Sequence, residues 1–249
     1  MRKKRLLVFA RREIFHKFTT LRAPGLDVVL ADVSEYGCFA DEMASFDLIF
    51  LRTKDEELLE ALQAIEVTSV LDRPEAVAFS LDRYRVLKAA AEAGVRVPEQ
   101  LLQGETALWP VVGKNRIDRG DNLPAKLSPE AWEAGEYPYA QRYLESEWEY
   151  KVYQFGRASW FFRQKPALFY PDKLTTREAI EPFQILKGYT ERAAKAAGLN
   201  MVSADFLLYK GQYYLTDINP TPGLQNLPGG YAAVVPEIMR MLEEEAIAP

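Results

Sequence analysis

Two strands joined by a tight turn are expected near the end of the chain, and three polar residues interrupt their apolar pattern. Asp217 and Asn219 are two residues apart, so on a strand their side chains point to the same face. Pairing about a turn at residues 209–212 brings Asp205, on the first strand, beside them. Two carboxylates and one amide oxygen form a hard-oxygen site, which suits Mg²⁺. The sequence therefore predicts a Mg²⁺ site with Asp205, Asp217 and Asn219 as ligands.

Composition narrows the classes of protein to which the chain can belong. The 249 residues carry a net charge of -5, which argues against general nucleic-acid binding. One cysteine, Cys38, excludes an intramolecular disulfide, and one histidine, His16, excludes His-rich metal sites and disfavours Ser–His or Cys–His catalysis. The apolar run at residues 6–10 is too short for a signal-peptide core or a membrane span. We therefore expect a cytoplasmic protein with no membrane partner and no nucleic-acid partner.

Alternating strands and helices predict a small parallel α/β unit over residues 1–72. Its strands are expected at residues 6–10, 26–31, 46–52 and 67–71. A helix at residues 55–65 would place four apolar side chains on one face, namely Leu58, Leu59, Leu62 and Ile65.

A helical segment is expected between this unit and the rest of the chain, at residues 73–98. Pro74 suits a first helical turn, and Asp82 precedes a helix at residues 82–93 that Gly94 ends. Helical spacing predicts one face for this helix, formed by Tyr84, Leu87, Lys88 and Ala91.

Short strands and further helices are expected after Pro98, which marks the turn into a new unit. The predicted strands lie at residues 109–113, 139–144, 150–155, 159–164 and 167–170. The predicted helices are one that Ser128 caps, one at residues 183–197 and one at residues 232–245. These elements suggest a central unit at residues 99–156 and a C-terminal unit at residues 157–249.

A series of motifs follows one another over residues 70–230. They are residues 73–76 with Asp82 and Arg83, residues 93–98, 110–114 and 140–145, residues 149–153 with Gly156, and residues 217–223 with Asp205. In this order they resemble the ATP-grasp superfamily, and in spacing they resemble its ribosomal-protein glutamate ligase and glutathione synthetase group. Asp217 stands where the family often has glutamate, and Arg83 stands where most members have lysine.

The resemblance implies an α/β fold class with α+β character. It implies a small N-terminal α/β unit, a central lid subdomain and a C-terminal catalytic sheet of mixed or antiparallel strands. ATP would lie between the last two units, with one or two Mg²⁺ ions, or Mn²⁺ as an alternative. The residues expected to bind the nucleotide are Lys114, Gln141, Arg142, Tyr143, Leu144, Glu149, Lys151 and Arg83. Glu145 and Glu149 are both candidates for the ribose hydroxyls.

Two cations on the strand after Gly156 are the predicted catalytic residues. Arg163 and Lys165 could clamp the γ-phosphate or an acyl phosphate, because both side chains donate charged hydrogen bonds. The candidates also have ordinary structural interpretations: Lys114 as an exposed strand end, Asp205 as a turn or cap residue, and Arg83 and Arg163 as surface residues.

The segment after Lys114 departs from the family's pattern. Many members have a long glycine-rich loop there, whereas residues 115–122 are polar and charged and contain one glycine, Gly120. We expect Arg116 or Arg119 to replace part of the backbone donors of the usual loop. The segment also fits a mobile lid.

The reaction that the resemblance implies is ATP-dependent ligation of a carboxylate to an amine through an acyl phosphate, with small-molecule or peptide substrates. Two other classes stay open. A polyol-phosphate kinase predicts a basic pocket built from the first 60 residues, with Arg11, Arg12, Lys17, Arg22 and Arg52 as candidates. A non-catalytic nucleotide-binding module agrees with the short loop after Lys114.

Overall fold

Three sheets follow one another along the chain. The computed structural model describes residues 3–64, 70–107, 109–118, 124–170 and 172–245. Strands β1–β4 form the first sheet, β5–β8 the second and β9–β13 the third, and their bounds are given below with the helices.

The first sheet is parallel, as the alternation of strands and helices predicts. Its strands are β1 (Lys4–Ala10), β2 (Leu26–Asp32), β3 (Leu48–Leu51) and β4 (Val70–Leu71), in the order β2-β1-β3-β4. The helices of this unit are α1 (Tyr36–Phe39) and α2 (Glu56–Gln63), together with 3-10 turns at Arg12–Thr20, Val33–Glu35 and Met43–Ser45. Helix α2 buries Leu58, Leu59 and Leu62, as predicted. Ile65 and the predicted strand residues 67–69 lie outside the described residues.

Two helices connect this unit to the others, α3 (Pro74–Leu81) and α4 (Arg83–Glu92). The Asp82 carboxylate caps α4 by accepting a 3.1 Å hydrogen bond from the Arg85 backbone N–H. The buried face of α4 differs from the predicted one: it consists of Arg83, Val86, Leu87 and Ala90, while Lys88 is exposed. The buried face differs from the predicted one because Arg83 is buried together with acidic partners. The spacing of apolar residues along a helix cannot predict such an ion pair.

The second sheet is antiparallel and carries the segment that Lys114 ends. Its strands are β5 (Gln100–Leu102), β6 (Val111–Lys114), β7 (Ala125–Lys126) and β8 (Tyr139–Arg142), in the order β5-β8-β6-β7. Helix α5 (Pro129–Glu133) begins after the Ser128 cap, as predicted, and buries Trp132 against this sheet.

The third sheet has five antiparallel strands. They are β9 (Glu149–Phe155), β10 (Ala158–Gln164), β11 (Glu178–Ala179), β12 (Met201–Tyr209) and β13 (Gln212–Asn219), in the order β11-β10-β9-β12-β13. Strand β9 falls inside the predicted central unit, yet it pairs with β10 and β12, so this sheet begins at Glu149. The β12–β13 turn has positive φ at Lys210 and Gly211, 50° and 75°, as a two-residue hairpin loop requires.

Helices cover one face of the third sheet. Helix α6 (Gln184–Ala197) packs against β9 and β12 and against α4, which itself packs on β13. Helix α7 (Val235–Glu245) follows 3-10 turns at Leu224–Asn226 and Gly230–Val234. Another 3-10 turn lies at Lys173–Thr176. Residues 167–170 form a turn and not the predicted strand: the N–H groups of Phe169 and Tyr170 donate to the Pro166 carbonyl, both at 3.1 Å. Pro166 has no N–H with which to extend the ladder beyond Gln164. Among the described residues, no helix combines the length and apolar character needed to cross a membrane.

Candidate functional site

The predicted metal ligands lie together on one face of the third sheet. Asp205 on β12 is the direct cross-strand partner of Asp217 on β13, and Ser203 is the partner of Asn219. Directly opposed residues of an antiparallel pair project to the same face, so the two carboxylates and the amide converge. The register shifts between Asp205 and Phe206, because Thr216 is an extra, bulged residue of β13 at this point. We refer to Asp205 and Asp217 as the carboxylate row.

Both carboxylates of the row have cationic partners. Lys151 on β9 is the cross-strand neighbour of Asp205 and pairs with it, and the Nε of Arg83 lies 3.1 Å from Oδ1 of Asp217. Burial alone would favour the neutral amine, but the charge of Asp205 raises the pKa of Lys151 above its usual value. Burial also opposes the charge of Arg83, whereas Asp217 raises its pKa. Lys151 and Arg83 therefore both carry their positive charge in these pairs.

The donor set of the row fits Mg²⁺ together with a phosphate. In the part of the chain that the structure describes, no three His, Cys, Asp or Glu side chains group around a possible metal position. The candidate ligands are instead two carboxylates and the Asn219 amide, whose Oδ1 accepts a 2.9 Å hydrogen bond from the Thr221 N–H. Mg²⁺ is commonly held by one or two carboxylates plus substrate phosphates, so this set suits an ion that arrives with a nucleotide.

Lys114 reaches from the second sheet to the third. Its Nζ donates to Oε1 of Gln141 and to the carbonyl of Thr216, each at 2.9 Å, and Thr216 directly precedes Asp217. Burial lowers the pKa of Lys114, and the nearby charge of Asp217 opposes this effect. The strand packs closely before this lysine, since a Cβ at Gly113 would lie 2.6 Å from Cγ of Tyr137. The ammonium is thus held beside the carboxylate row.

Arg83 also fastens the segment that follows Lys114. Its Nη1 donates to the Asn115 carbonyl at 2.9 Å, and its Nη2 lies 2.8 Å from Oδ1 of Asp118. Asp118 is only 4% exposed and pairs in addition with Lys54 of the first unit. One guanidinium therefore joins the carboxylate row to residues 115–118.

Side-chain contacts hold residues 115–118, the described part of the segment for which a mobile lid was predicted. Besides the contacts of Arg83, the Nη2 of Arg116 lies 2.7 Å from Oδ2 of Asp82, the cap of α4. Arg116 is thus directed to a helix terminus and not toward the carboxylate row. Arg119 and the rest of the segment up to residue 123 lie outside the described residues.

A cavity with an empty volume of about 540 Å³ opens between the second and third sheets, beside Lys114. We call it the nucleotide cavity, after the sequence-based prediction that ATP lies between the central and C-terminal units. Its apolar wall includes Val112, Leu144, Leu168, Phe169 and Leu207. Its polar lining includes Lys114, Gln141 and Glu149. A mostly apolar slot with a few polar groups at one end is typical of a small-molecule site.

Solved structures resemble the chain over almost its whole length, whereas no family model and no curated protein matches its sequence. The ATP-grasp ligase PsnB, complexed with a phosphomimetic variant of its minimal precursor, Mg and ADP, has a TM-score of 0.74 at 17% identity. The likeness covers 96% of this chain and 99% of PsnB. A Chryseobacterium gregarium RiPP-associated ATP-grasp ligase, in complex with ADP and a leader and core peptide, has a TM-score of 0.75 at 13% identity, covering 99% and 98% of the two chains.

D-alanine–D-alanine ligase from Bacillus anthracis complexed with ATP gives a TM-score of 0.72 at 15% identity and covers 97% of this chain and 99% of the ligase. The chain has the ATP-grasp fold. The α/β fold class predicted from the sequence is therefore confirmed. The nearer likeness to ribosomal-protein glutamate ligases and glutathione synthetases stays a prediction.

Within this ATP-grasp fold, a hydrogen bond from Lys114 to the Gln141 side chain fixes the position of the Lys114 ammonium. The Gln141 side chain is 3% exposed, and its Nε2 donates to the Tyr139 hydroxyl at 2.7 Å and to the Thr216 carbonyl at 3.1 Å. Its Oε1 accepts from Lys114 at 2.9 Å. The amide thus holds the ammonium in position and has its own hydrogen bonds satisfied.

The other predicted residues of the 141–144 segment have different surroundings. Leu144 is buried in the cavity wall, whereas the side chain of Arg142 is exposed. The Tyr143 ring lies 6.3 Å from the Phe169 ring and 4.5 Å from the Nζ of Lys126. The segment therefore forms the rim and one wall of the nucleotide cavity.

Glu149 and Lys151 of β9 lie on the same face of the third sheet as the carboxylate row. Glu149 lines the nucleotide cavity and accepts a hydrogen bond from the Gln164 amide. Because Glu149 and Lys151 are two residues apart on a strand, their side chains share a face. The cavity thus continues directly into the carboxylate row.

Arg163 and Lys165, predicted as catalytic, are not brought to the carboxylate row. Arg163 is opposite Tyr150 in the β9–β10 pair, hence on the other face of the sheet, where it pairs with Glu178. Lys165 lies 3.2 Å from a Glu147 carboxylate oxygen, and its Nζ is 3.9 Å from the Trp148 ring centroid. The sequence could not assign the face of β10, because that face depends on its register with β9.

Two residues that the sequence did not single out lie on the face of the carboxylate row. Arg177 donates from Nε to Oε1 of Gln164 at 2.7 Å and from Nη1 to the Tyr153 hydroxyl at 3.0 Å. Ser203 is the cross-strand neighbour of Tyr153 on β9 and of Asn219 on β13, in the row next to the carboxylate row. Arg177 lies in a stretch without regular spacing, so no pattern assigned it a face.

Proposed function

We propose that the protein is an ATP- and Mg²⁺-dependent ligase that joins a carboxylate to an amine through an acyl phosphate. The observation that carries the proposal is the cross-strand pair Asp205–Asp217 at the end of the nucleotide cavity, beside the buried ammonium of Lys114. Phosphoryl transfer needs charge neutralisation and positioning more than covalent help, and this arrangement supplies both.

In this proposal the base of ATP occupies the apolar part of the nucleotide cavity, between Leu144 and Leu207. The phosphates extend toward Lys114 and Arg83, whose charged donors can bind phosphate oxygens. Glu149, at the polar end of the cavity, is available to the ribose hydroxyls. We propose this orientation because Lys114, in the polar lining of the cavity, lies beside the carboxylate row.

Asp205, Asp217 and Asn219 would hold one or two Mg²⁺ ions. When bound, Mg²⁺ neutralises charge on the β- and γ-phosphates and draws their oxygens into position. Lys151 and Arg83 remain within reach of the same carboxylates and compensate their charge in the absence of nucleotide.

The proposed reaction has two steps. A carboxylate oxygen of the acid attacks the γ-phosphorus, the bond from that phosphorus to the β–γ bridging oxygen breaks, and ADP leaves. The neutral amine then attacks the acyl carbon, the bond from that carbon to the phosphate oxygen breaks, and inorganic phosphate leaves as the amine loses a proton to solvent. Lys114 and Arg83 stabilise the phosphate charge during the first step.

Peptide acids are included among the proposed substrates. PsnB and the Chryseobacterium gregarium ligase are described in complex with precursor peptides. D-alanine–D-alanine ligase is named for a small-molecule product. The shared fold supports both substrate sizes for this chain.

Product analysis tests the proposal. A ligase releases ADP and inorganic phosphate only when acid and amine are both present with ATP and Mg²⁺. Release of ADP without phosphate, as a phosphorylated alcohol forms, would instead identify a kinase. Calorimetry with Mg²⁺ and ATP comes first, since a protein that binds no nucleotide contradicts all of these activities.

A further inference from the structure

A second cavity lies on the same face of the third sheet as the carboxylate row. It has an empty volume of about 650 Å³ and is lined by Phe162, Leu174, Arg177, Ala179, Asn226, Leu227 and Pro228. Phe162 pairs with Lys151, and Lys151 pairs with Asp205, so this cavity begins in the row that contains the carboxylates. Glu149, which lines the nucleotide cavity, lies one row of cross-strand neighbours away from Lys151 along β9. Two cavities therefore open on the face of the third sheet that carries the carboxylate row.

Arg177 is the charged side chain among the described lining residues of the second cavity, and no acid in the described part of the chain forms an ion pair with it. Its two hydrogen-bond acceptors, the Gln164 amide oxygen and the Tyr153 hydroxyl, are neutral. Its guanidinium carbon lies 5.7 Å from the Phe162 ring centroid and 5.8 Å from that of Tyr153. Within the described ranges of the chain, no Asp or Glu oxygen lies within 4.0 Å of this guanidinium, in contrast to Lys151 and Arg83.

A half-buried cation without a counter-ion favours an anionic ligand. The two neutral acceptors and the aromatic rings fix the guanidinium in one orientation, which reduces the conformational entropy lost on binding. The remaining N–H groups can donate charge-assisted hydrogen bonds to a carboxylate or a phosphate.

Ser203 is a buried polar residue on the same face of the third sheet, outside the described linings of both cavities. Its side chain is 1% exposed, and within the described chain its Oγ has no hydrogen-bond partner. It lies on β12 between Tyr153 of β9 and Asn219 of β13, in the row next to the carboxylates. Because a buried hydroxyl without a partner is costly, this position suits a polar ligand atom.

We infer that Arg177 binds an anionic group of the acid substrate, and that the substrates are acids with a second negative charge. The inference rests on the proposed ligase function. The reacting carboxylate belongs at the carboxylate row, where the phosphates end, so the anion at Arg177 is a different group of the same molecule. Arg177 contacts side chains of β10 and β9, whereas the carboxylate row lies on β12 and β13, so one molecule would reach both sites across neighbouring strands, as a dicarboxylic amino acid or an acidic peptide side chain can.

The γ-phosphate of ATP offers the same anionic chemistry as a substrate carboxylate. The kinetics of a charge-removing variant distinguish the two sources. Loss of a carboxylate contact raises the KM for the acid and leaves the KM for ATP unchanged. Loss of a phosphate contact changes the KM for ATP.

The experiment traps acyl phosphates with hydroxylamine, so that no specific amine is needed. The protein is incubated with ATP, Mg²⁺, hydroxylamine and a pool of the twenty amino acids, succinate, glutarate and short Asp- and Glu-containing peptides. Hydroxamates are identified by mass spectrometry. Each active diacid is then compared with its monoamide, for example L-glutamate with L-glutamine, in the wild-type protein, Arg177→Gln and Arg177→Lys. Arg192→Gln, an exposed arginine of α6, is the matched control.

We expect wild-type products only from acids that carry a second negative charge. Arg177→Gln should lower kcat/KM for the diacid by roughly 30- to 100-fold, mainly through KM, and should abolish the preference over the monoamide. Arg177→Lys should keep part of that preference, and Arg192→Gln should match the wild type. If Arg177→Gln does not fold, the wild-type ratio of diacid to monoamide and the Arg177→Lys variant still decide.

Equal use of diacids and monoamides by the wild-type protein would overturn the inference while leaving the ligase proposal intact. A raised KM for ATP with an unchanged KM for the acid would overturn it too, and would assign Arg177 to the γ-phosphate. Absence of any hydroxamate from a wild-type protein that binds Mg²⁺ and ATP would contradict the ligase proposal itself, and this inference with it.

Discussion

The Nε of Arg83 lies 3.1 Å from Oδ1 of Asp217, so a residue of helix α4 neutralises a carboxylate of the third sheet. The same carboxylate is a proposed Mg²⁺ ligand. Binding of a metal–nucleotide complex therefore requires the guanidinium to share or leave Asp217. Arg83 can then turn to the phosphates, since Asp118 and the Asn115 carbonyl keep it at the site.

Asp217→Asn tests the metal assignment. The substitution removes one of two carboxylates, so we expect Mg²⁺-dependent ADP release to fall by roughly 100-fold or more. The fold should persist, because the amide is nearly the same size. The measurements are ADP release at several Mg²⁺ concentrations and the thermal melting temperature.

Asp41→Asn, at an exposed position of the first unit, serves as the control for Asp217→Asn. Normal Mg²⁺-dependent turnover in Asp217→Asn would reject Asp217 as a ligand. A large fall in melting temperature together with lost turnover would point to a structural role instead.

Arg83→Gln tests the ion-pair network around residues 115–118. The variant removes the guanidinium from Asp217 and from Asp118, while the contact of Asp118 with Lys54 remains. Breaking a buried ion pair commonly costs about 3–5 kcal/mol, and the remaining Lys54 contact should reduce the loss to about 2–3 kcal/mol. Urea unfolding of the variant and of Arg85→Gln, an exposed neighbour on α4, gives the difference; equal stability of the two would contradict the network's role.

Lys114→Met tests the phosphate contact and its pH dependence. We expect the Kd for ADP to rise by roughly tenfold, since one charge-assisted contact is lost. Burial lowers the pKa of Lys114, so the wild-type ammonium loses its proton below the usual lysine range as pH rises. Wild-type ADP affinity should therefore decline on the alkaline side, and Lys114→Met should lack this decline.

Calorimetric titration with ADP between neutral pH and about pH 9.5 measures the effect of Lys114. Lys88→Met, at an exposed position on α4, is the control and should retain the wild-type profile. Parallel pH profiles for the wild type and Lys114→Met would exclude Lys114 as the titrating contact.

Asp72 should make the stability of the fold depend on pH. It is fully buried and accepts the backbone N–H groups of Asn200 and Met201, at 2.6 and 2.9 Å. Burial raises its pKa from 3.8 to about 7, although these hydrogen bonds oppose the shift. Between these two values the folded state holds a proton that the unfolded chain has lost, so stability falls as pH rises and then levels off above about pH 7.

Urea unfolding at about pH 5 and about pH 8 measures this linkage. The part of the stability loss that Asp72 causes should be about 3 kcal/mol, at 1.36 kcal/mol per pKa unit. Asp72→Asn is less stable overall, because its NH2 group cannot accept both N–H donors, but it should lack this part of the pH dependence. An identical change in the wild type and Asp72→Asn would refute the shifted pKa.

Local patterns predicted most of the elements. The sequence predicts the hairpin of β12 and β13 from two mostly apolar segments on either side of a turn at residues 209–212, because strand and turn preferences act over a few residues. The cap of α5 and the buried side of α2 were predicted for the same reason. The predicted strand at residues 167–170 is a turn, since a strand also needs a partner and Pro166 prevents the ladder from continuing there.

The sequence patterns could not predict the register between strands or the pairing of buried charges. The face of Arg163 depends on the alignment of β10 with β9, which brings Arg163 opposite Tyr150 and away from Lys151. The inward position of Arg83 depends on acids that are 35 and 134 positions away, Asp118 and Asp217. Neither fact follows from the spacing of apolar residues around these positions.

The sequence by itself determined the parallel first unit, the hairpin and the face shared by Asp217 and Asn219, because these features depend on neighbouring residues and on the fixed period of a strand. The tertiary structure alone decided that Asp205 opposes Asp217, that Lys114 reaches the Thr216 carbonyl, and that Arg177 faces the carboxylate row while Arg163 does not. These relationships join separate strands, so they are set by sheet register and by the burial of charges against each other.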